Sequence, residues 1–231
     1  MDKILTPLFP EPRLQNLGWR YLLFQVVFLS YLFGLAISLL GIQLPGAVVN
    51  LIYFSVNAAV AVIPFRSFWK QTLSAVKDAW LRIVAVSIGG FFTYRVLSAL
   101  MAMLILTIDH NFANVNDQNI QLLTRDSFLM MALGTVVLAP VAEEVFNRGC
   151  VFGGLYRRNP VAAYAVSAAA FSIIHVSGYM GLVPPLTLFL CFLQYLPAGL
   201  CLAAAYQLSG SILAPILIHS AVNAIAILSM R

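Results

Sequence analysis

The sequence predicts an all-α, polytopic membrane protein of about seven spanning helices, with its N-terminus on the cytoplasmic side. Three observations carry this. Of 231 residues, 61% are hydrophobic and only 9% are charged, whereas a soluble domain is about 25% charged. The mean hydropathy is +0.93. Apolar runs that approach the ~20 residues a span needs recur along the chain, and Lys and Arg gather in alternate connections between them.

The N-terminal stretch MDKILTPLFPEPRLQNLGWR is interrupted by Pro7, Pro10 and Pro12 and has no apolar core next to a basic head. It does not read as a signal peptide, so the first apolar run is expected to be a retained span. The seven runs are Tyr21–Ile42, Ala47–Ile63, Ile83–Ile108, Phe128–Leu155, Val161–Val176, Leu186–Tyr206 and Ile212–Met230. The segment PFRSFWKQTLSAVKDAW mixes aromatic and basic residues, as a helix lying in the cytoplasmic interface does. The segment DHNFANVNDQNIQLLTRD reads as a polar external connection in which His110 is exposed. One integral membrane domain follows: residues 1–127 supply N-terminal membrane helices with the interfacial segment, and residues 128–231 form a membrane helix core of catalytic type.

Basic residues test the count. With the N-terminus inside, nine Lys and Arg fall in inside segments, two (Arg125 and Arg231) fall outside, and Arg95 and Arg148 lie within spans. That asymmetry obeys the positive-inside rule for an odd number of spans. It also accounts for the basic pI without nucleic acid, for which no basic stripe with interleaved aromatics is present. Cys150, Cys191 and Cys201 all lie in apolar stretches without paired spacing, so they read as small packing residues. Arg95 reads as a structural or snorkelling residue.

Ionisable groups inside spans are costly and mark function by default. Glu143, Glu144 and Arg148 lie in the fourth run, His175 ends the fifth, and His219 and Asn223 lie in the seventh. Residues four apart share a helix face, so Glu144 and Arg148 can form an ion pair that offsets the burial of both. Glu143 lies about 100° round the helix, and Asn147, not a cation, stands one turn away. A carboxylate left without a cation is free to take a proton, as a general base requires. His219 and Asn223 share a face and supply hydrogen-bond donors suited to an oxyanion. His175 can orient a water or relay a proton. Counted from the inside ends, Glu143, His175 and His219 lie roughly 18, 21 and 12 Å deep, which places three separate helices' polar groups in one layer. Phe171 reads as a packing residue.

Taken together, EEVFNR, FSIIH and HSAVN resemble the EExxxR, FxxxH and HxxxN motifs of the CPBP family, the CAAX proteases and bacteriocin-processing enzymes also called Abi, which include type II CAAX prenyl endopeptidases. The resemblance covers residues 128 to 229. It implies a glutamate-dependent intramembrane endopeptidase in which Glu143 and His175 activate water, His219 and Asn223 stabilise the oxyanion, and Glu144 and Arg148 support the site. Members often carry Phe just before the motif arginine. Here Asn147 takes that place and is positioned to hydrogen-bond Glu143. No cofactor is expected, zinc held by the two His and two Glu being the alternative.

The expected partners are the lipid bilayer and a membrane-associated peptide or protein substrate, such as a leader peptide, a pheromone precursor or a lipidated C-terminus. The seven-span pattern without a targeting segment suits a bacterial plasma membrane. Two other classes compete with the protease. One is a non-catalytic membrane binding protein on the same fold, for bacteriocin self-immunity or signalling. The other is a transporter, which calls for an internal repeat that the chain lacks.

Overall fold

The computed structural model describes residues 7–26, 35–36, 39–41 and 43–230. Among these there is no strand. The helices are α1 (Pro12–Phe24), α2 (Gly46–Val62), α3 (Arg66–Ile108), α4 (Val115–Asp126), α5 (Phe128–Tyr156), α6 (Pro160–Val176), α7 (Pro185–Ser209) and α8 (Leu213–Ser229). By length and composition α3, α5, α6 with its extension to Tyr179, and α7 can each cross a membrane, while α2 and α8 are apolar but shorter. Half of the first expected span, Tyr21–Ile42, falls outside the described residues.

Two sequence expectations change. The basic-aromatic segment is not a separate interfacial helix. It is the first part of α3, which runs 43 residues without a break, or ~65 Å. Gly89 and Gly90 fall mid-helix, and the bare Cα of Gly90 receives the side chain of Ile218 from α8. The external connection is not merely a loop. Asn114 caps α4 by accepting from the backbone N–H groups of Asn116 and Asp117, the arrangement expected of an N-cap Asn. His110 is exposed there, as expected.

α5 is irregular for a reason written in its sequence. Pro140 has no N–H and its ring crowds the preceding turn. Over Leu133–Leu138 the helix widens to π turns, it returns to α geometry over Ala139–Glu144, and it widens again over Val145–Phe152. Such insertions are rare and concentrate at functional sites.

Lipid is as apolar as Leu, so close packing and hydrogen bonds hold membrane helices together. Small residues serve that end where α6 meets α7: a Cβ on Gly199 would lie 2.6 Å from the Ala168 Cα. α1 lies against α5 with Gly18 directly over Cys150. One end of the bundle gathers the start of α1, the α2–α3 and α5–α6 links and the end of α7. It is tied by Leu8 N–H to the Gly210 carbonyl (3.2 Å) and Arg82 to the Ser209 carbonyl (2.8 Å), and it is filled by Phe65, Phe146, Phe152 and Tyr206. The other end gathers α4, the α6–α7 link and the end of α8.

Candidate active site

The ion pair expected between Glu144 and Arg148 is present. Both side chains are completely buried, with Arg148 Nε 3.1 Å from Glu144 Oε2. Arg148 also donates to the Gly199 carbonyl at 3.2 Å, and its guanidinium lies 4.6 Å from the centre of the Phe171 ring. Phe171 therefore does more than fill space. Its ring also sits 4.4 Å from His175 and 5.6 Å from His219, so one aromatic side chain lies against the cation and both imidazoles.

Glu144 has a second partner that spacing along one helix does not reveal. Its Oε1 lies 2.8 Å from His219 Nδ1. A carboxylate only accepts, so Nδ1 carries a proton and, in the neutral ring, Nε2 is left with a lone pair. His175 arrives at the same state differently: its Nδ1 lies 2.7 Å from the Phe171 carbonyl and donates to it. Both Nε2 atoms face Glu143 Oε2, at 3.7 Å from His175 and 3.9 Å from His219. Glu143 Oε2 makes no hydrogen bond among the described residues.

Asn147 departs from the sequence reading. It does not bond the Glu143 carboxylate. Its amide donates to the Glu143 backbone carbonyl at 2.9 Å, and its own carbonyl accepts from Ser167. Asn147 thus fastens the widened turn and leaves the carboxylate alone. Asn223 is also committed in part, because its amide donates to the Thr135 carbonyl at 2.8 Å. That carbonyl is orphaned by Pro140. In a π turn it would accept from residue 140, which has no N–H, while Ala139 N–H bonds Gly134. An amide nitrogen carries two protons, so Asn223 keeps one N–H for another acceptor.

All six polar residues singled out in the sequence therefore meet in one place. Residues 125–225 match the family described as Rce1-like, type II CAAX prenyl endopeptidase. The matched stretch contains α5 to α8 as far as Ile225, and with it every residue of this cluster. Neither the curated proteins nor the solved structures contain a match to the chain. This part of the chain is similar to that family of proteases, and four of the described helices are long and apolar enough to cross a membrane.

Glu143, His175, His219 and Asn223 share a cavity of about 620 Å³ with residues of α2 and α4. Tyr195 of α7 is a feature of this wall that the sequence reading missed. Its ring stacks on His175 at 4.3 Å and 29°. Its hydroxyl accepts from the Asn116 amide at 3.0 Å and donates to Asp117 at 3.2 Å. Asn114 adds a bond to Gln194 at 3.0 Å. Helix α4 is thereby tied to the ring that holds His175. No motif spacing points to Tyr195, whose signal is only a tyrosine beside Gln194 in a mostly apolar helix. Across the cavity, Tyr21, Gln25 and Tyr53 gather round Asn57. Among the described residues no group of three or more His, Cys, Asp or Glu is arranged to hold a metal ion.

Proposed function

We propose that the protein is an intramembrane endopeptidase that hydrolyses a peptide bond in a membrane-associated peptide or protein, with Glu143 as the general base. The observation that carries this is Glu143 Oε2, without a hydrogen-bond partner among the described residues and flanked by two imidazole nitrogens at 3.7 and 3.9 Å. Those separations are too long for direct hydrogen bonds and leave room for one solvent oxygen bridging the groups.

In this reading Glu143 and His175 hold the water. Glu143 takes one of its protons as the oxygen bonds to the scissile carbonyl carbon, and the carbonyl oxygen becomes an oxyanion. The free N–H of Asn223 donates to it. His219 in its neutral form offers only a lone pair at Nε2, so it donates there only as the imidazolium. Glu143 then passes its proton to the amide nitrogen as the C–N bond breaks. Arg148 and Glu144 hold the geometry, and Glu144 orients His219 much as the acid of a catalytic triad orients its histidine.

The test is cleavage of membrane-anchored peptides by the purified protein in liposomes, read by mass spectrometry. The wild type is expected to cut a defined bond, and activity is expected to survive exhaustive chelation. Activity lost on chelation and restored by zinc would replace the glutamate mechanism with a metal one. A wild-type protein that binds such peptides and cuts none would favour the non-catalytic binding role.

A further inference from the structure

The two ends of the bundle differ in charge and in access to the site. At the end that holds the start of α1 lie Arg13 and Arg20, the four basic residues from Arg66 to Arg82, and Arg157 with Arg158. At the other end the described residues hold one basic residue, Arg125, beside Asp109, Asp117 and Asp126. A Lys/Arg bias of this size sets membrane orientation, with the basic end cytoplasmic.

The cavity faces the acidic end. Gly46, Asn116, Asp117 and Asn119 line it, and Gly46, Asp117 and Asn119 are exposed. In the opposite direction it is closed. Every residue from Val145 to Phe152 is buried, and Phe65, Phe146, Phe152 and Tyr206 pack the space behind them. Exposure follows the same gradient along α5: the Glu143 side chain is 21% exposed, Glu144 and Arg148 are not exposed at all.

We infer that Glu143 is reached from the non-cytoplasmic face of the membrane, and that the substrate is an extended peptide segment, polar near the site, presented on that face. Its class is an exported peptide or the outer segment of a membrane protein, and not the C-terminus of a cytosolic protein. Asn50, Asn116 and Asn119 offer amide groups to a peptide backbone along the cavity wall, and Asp117 gives the mouth a negative charge. The substrate class rests on the protease reading; the direction of access does not.

Cysteine accessibility tests this without any substrate. The native cysteines Cys150, Cys191 and Cys201 are buried, so single introduced cysteines report alone. Asn119→Cys marks the mouth, Thr135→Cys marks the depth of the cavity, and Arg157→Cys marks the basic end. Each is expressed in the inner membrane of bacterial cells, and a membrane-impermeant thiol reagent is added to spheroplasts. Asn119→Cys and Thr135→Cys are expected to react in intact spheroplasts, and Arg157→Cys only after lysis. Ala226→Cys, also on the cavity wall, replaces Thr135→Cys should that variant fail to accumulate. Reaction of the cavity positions only after lysis, together with reaction of Arg157→Cys in intact spheroplasts, would overturn the inference. So would a cavity position that stays unreactive until lysis while Asn119→Cys reacts. If labelling follows the expected pattern but the purified protein cleaves nothing, the protease reading falls and the direction of access stands.

Discussion

Glu143 and Glu144 are chain neighbours with opposite surroundings. Glu144 is fully buried between Arg148 and His219, while Glu143 reaches the cavity with one oxygen unpartnered. Helical spacing was enough to separate the two, because Arg148 stands four residues from one and Asn147 from the other. It could not reveal the bond from Glu144 to His219, which joins residues 75 apart in the chain. Nor could it show that Phe171 lies against the guanidinium, since a Phe in an apolar helix carries no mark of what it faces. Removing one member of a buried pair leaves an uncompensated charge, so Arg148→Ala is expected to lower stability by roughly 3–5 kcal/mol, read by thermal unfolding in detergent. Phe171→Leu keeps an apolar side chain but loses the ring over Arg148, and should cost on the order of 0.5–2 kcal/mol in the same measurement.

At the scale of elements, six of the seven apolar runs correspond to helical segments, because composition and length alone decide whether a stretch can be a buried helix. What composition does not encode is where a helix continues or changes pitch. α3 extends through a basic-aromatic segment because no proline or other breaker separates it from the apolar run that follows. Pro140 was visible in the sequence. Its effect, an orphaned Thr135 carbonyl answered by Asn223, depends on a helix 88 residues away. Asn223→Ala should therefore cost about 1–3 kcal/mol of stability for the unpaired carbonyl in addition to any loss of activity. Gly199→Ala would force a methyl group against the Ala168 backbone, and about 1–3 kcal/mol of destabilisation is expected from such overpacking. For α4, Tyr195→Phe keeps the ring on His175 and cuts the tie to Asn116 and Asp117, whereas Tyr195→Ala removes both. If α4 steadies His175 through Tyr195, turnover should fall in the order wild type, Tyr195→Phe, Tyr195→Ala. Equal turnover in all three would remove Tyr195 from the site.

Across the whole molecule, the sequence places polar groups of three separate helices at similar counts from the helix ends. The structure brings those groups within 2.8 to 3.9 Å of Glu143 or Glu144. Similar counts from the helix ends are compatible with that proximity because a helix has a fixed rise per residue. They could not give the cavity, whose walls come partly from α2 and α4, or its opening toward the end poor in basic residues. The Rce1-like match spans residues 125–225, yet α2 and α4, both largely outside it, complete the cavity. The account as a whole stands on a division of labour between the adjacent carboxylates. The most direct measurement compares Glu143→Gln with Glu144→Gln in peptide cleavage and in thermal stability, on the same preparations. Glu143→Gln is expected to lose roughly 10²–10⁴ in turnover while keeping wild-type stability, and Glu144→Gln is expected to lose stability by several kcal/mol. A Glu143→Gln variant that cleaves as fast as the wild type, or one that unfolds while Glu144→Gln stays intact, would contradict it.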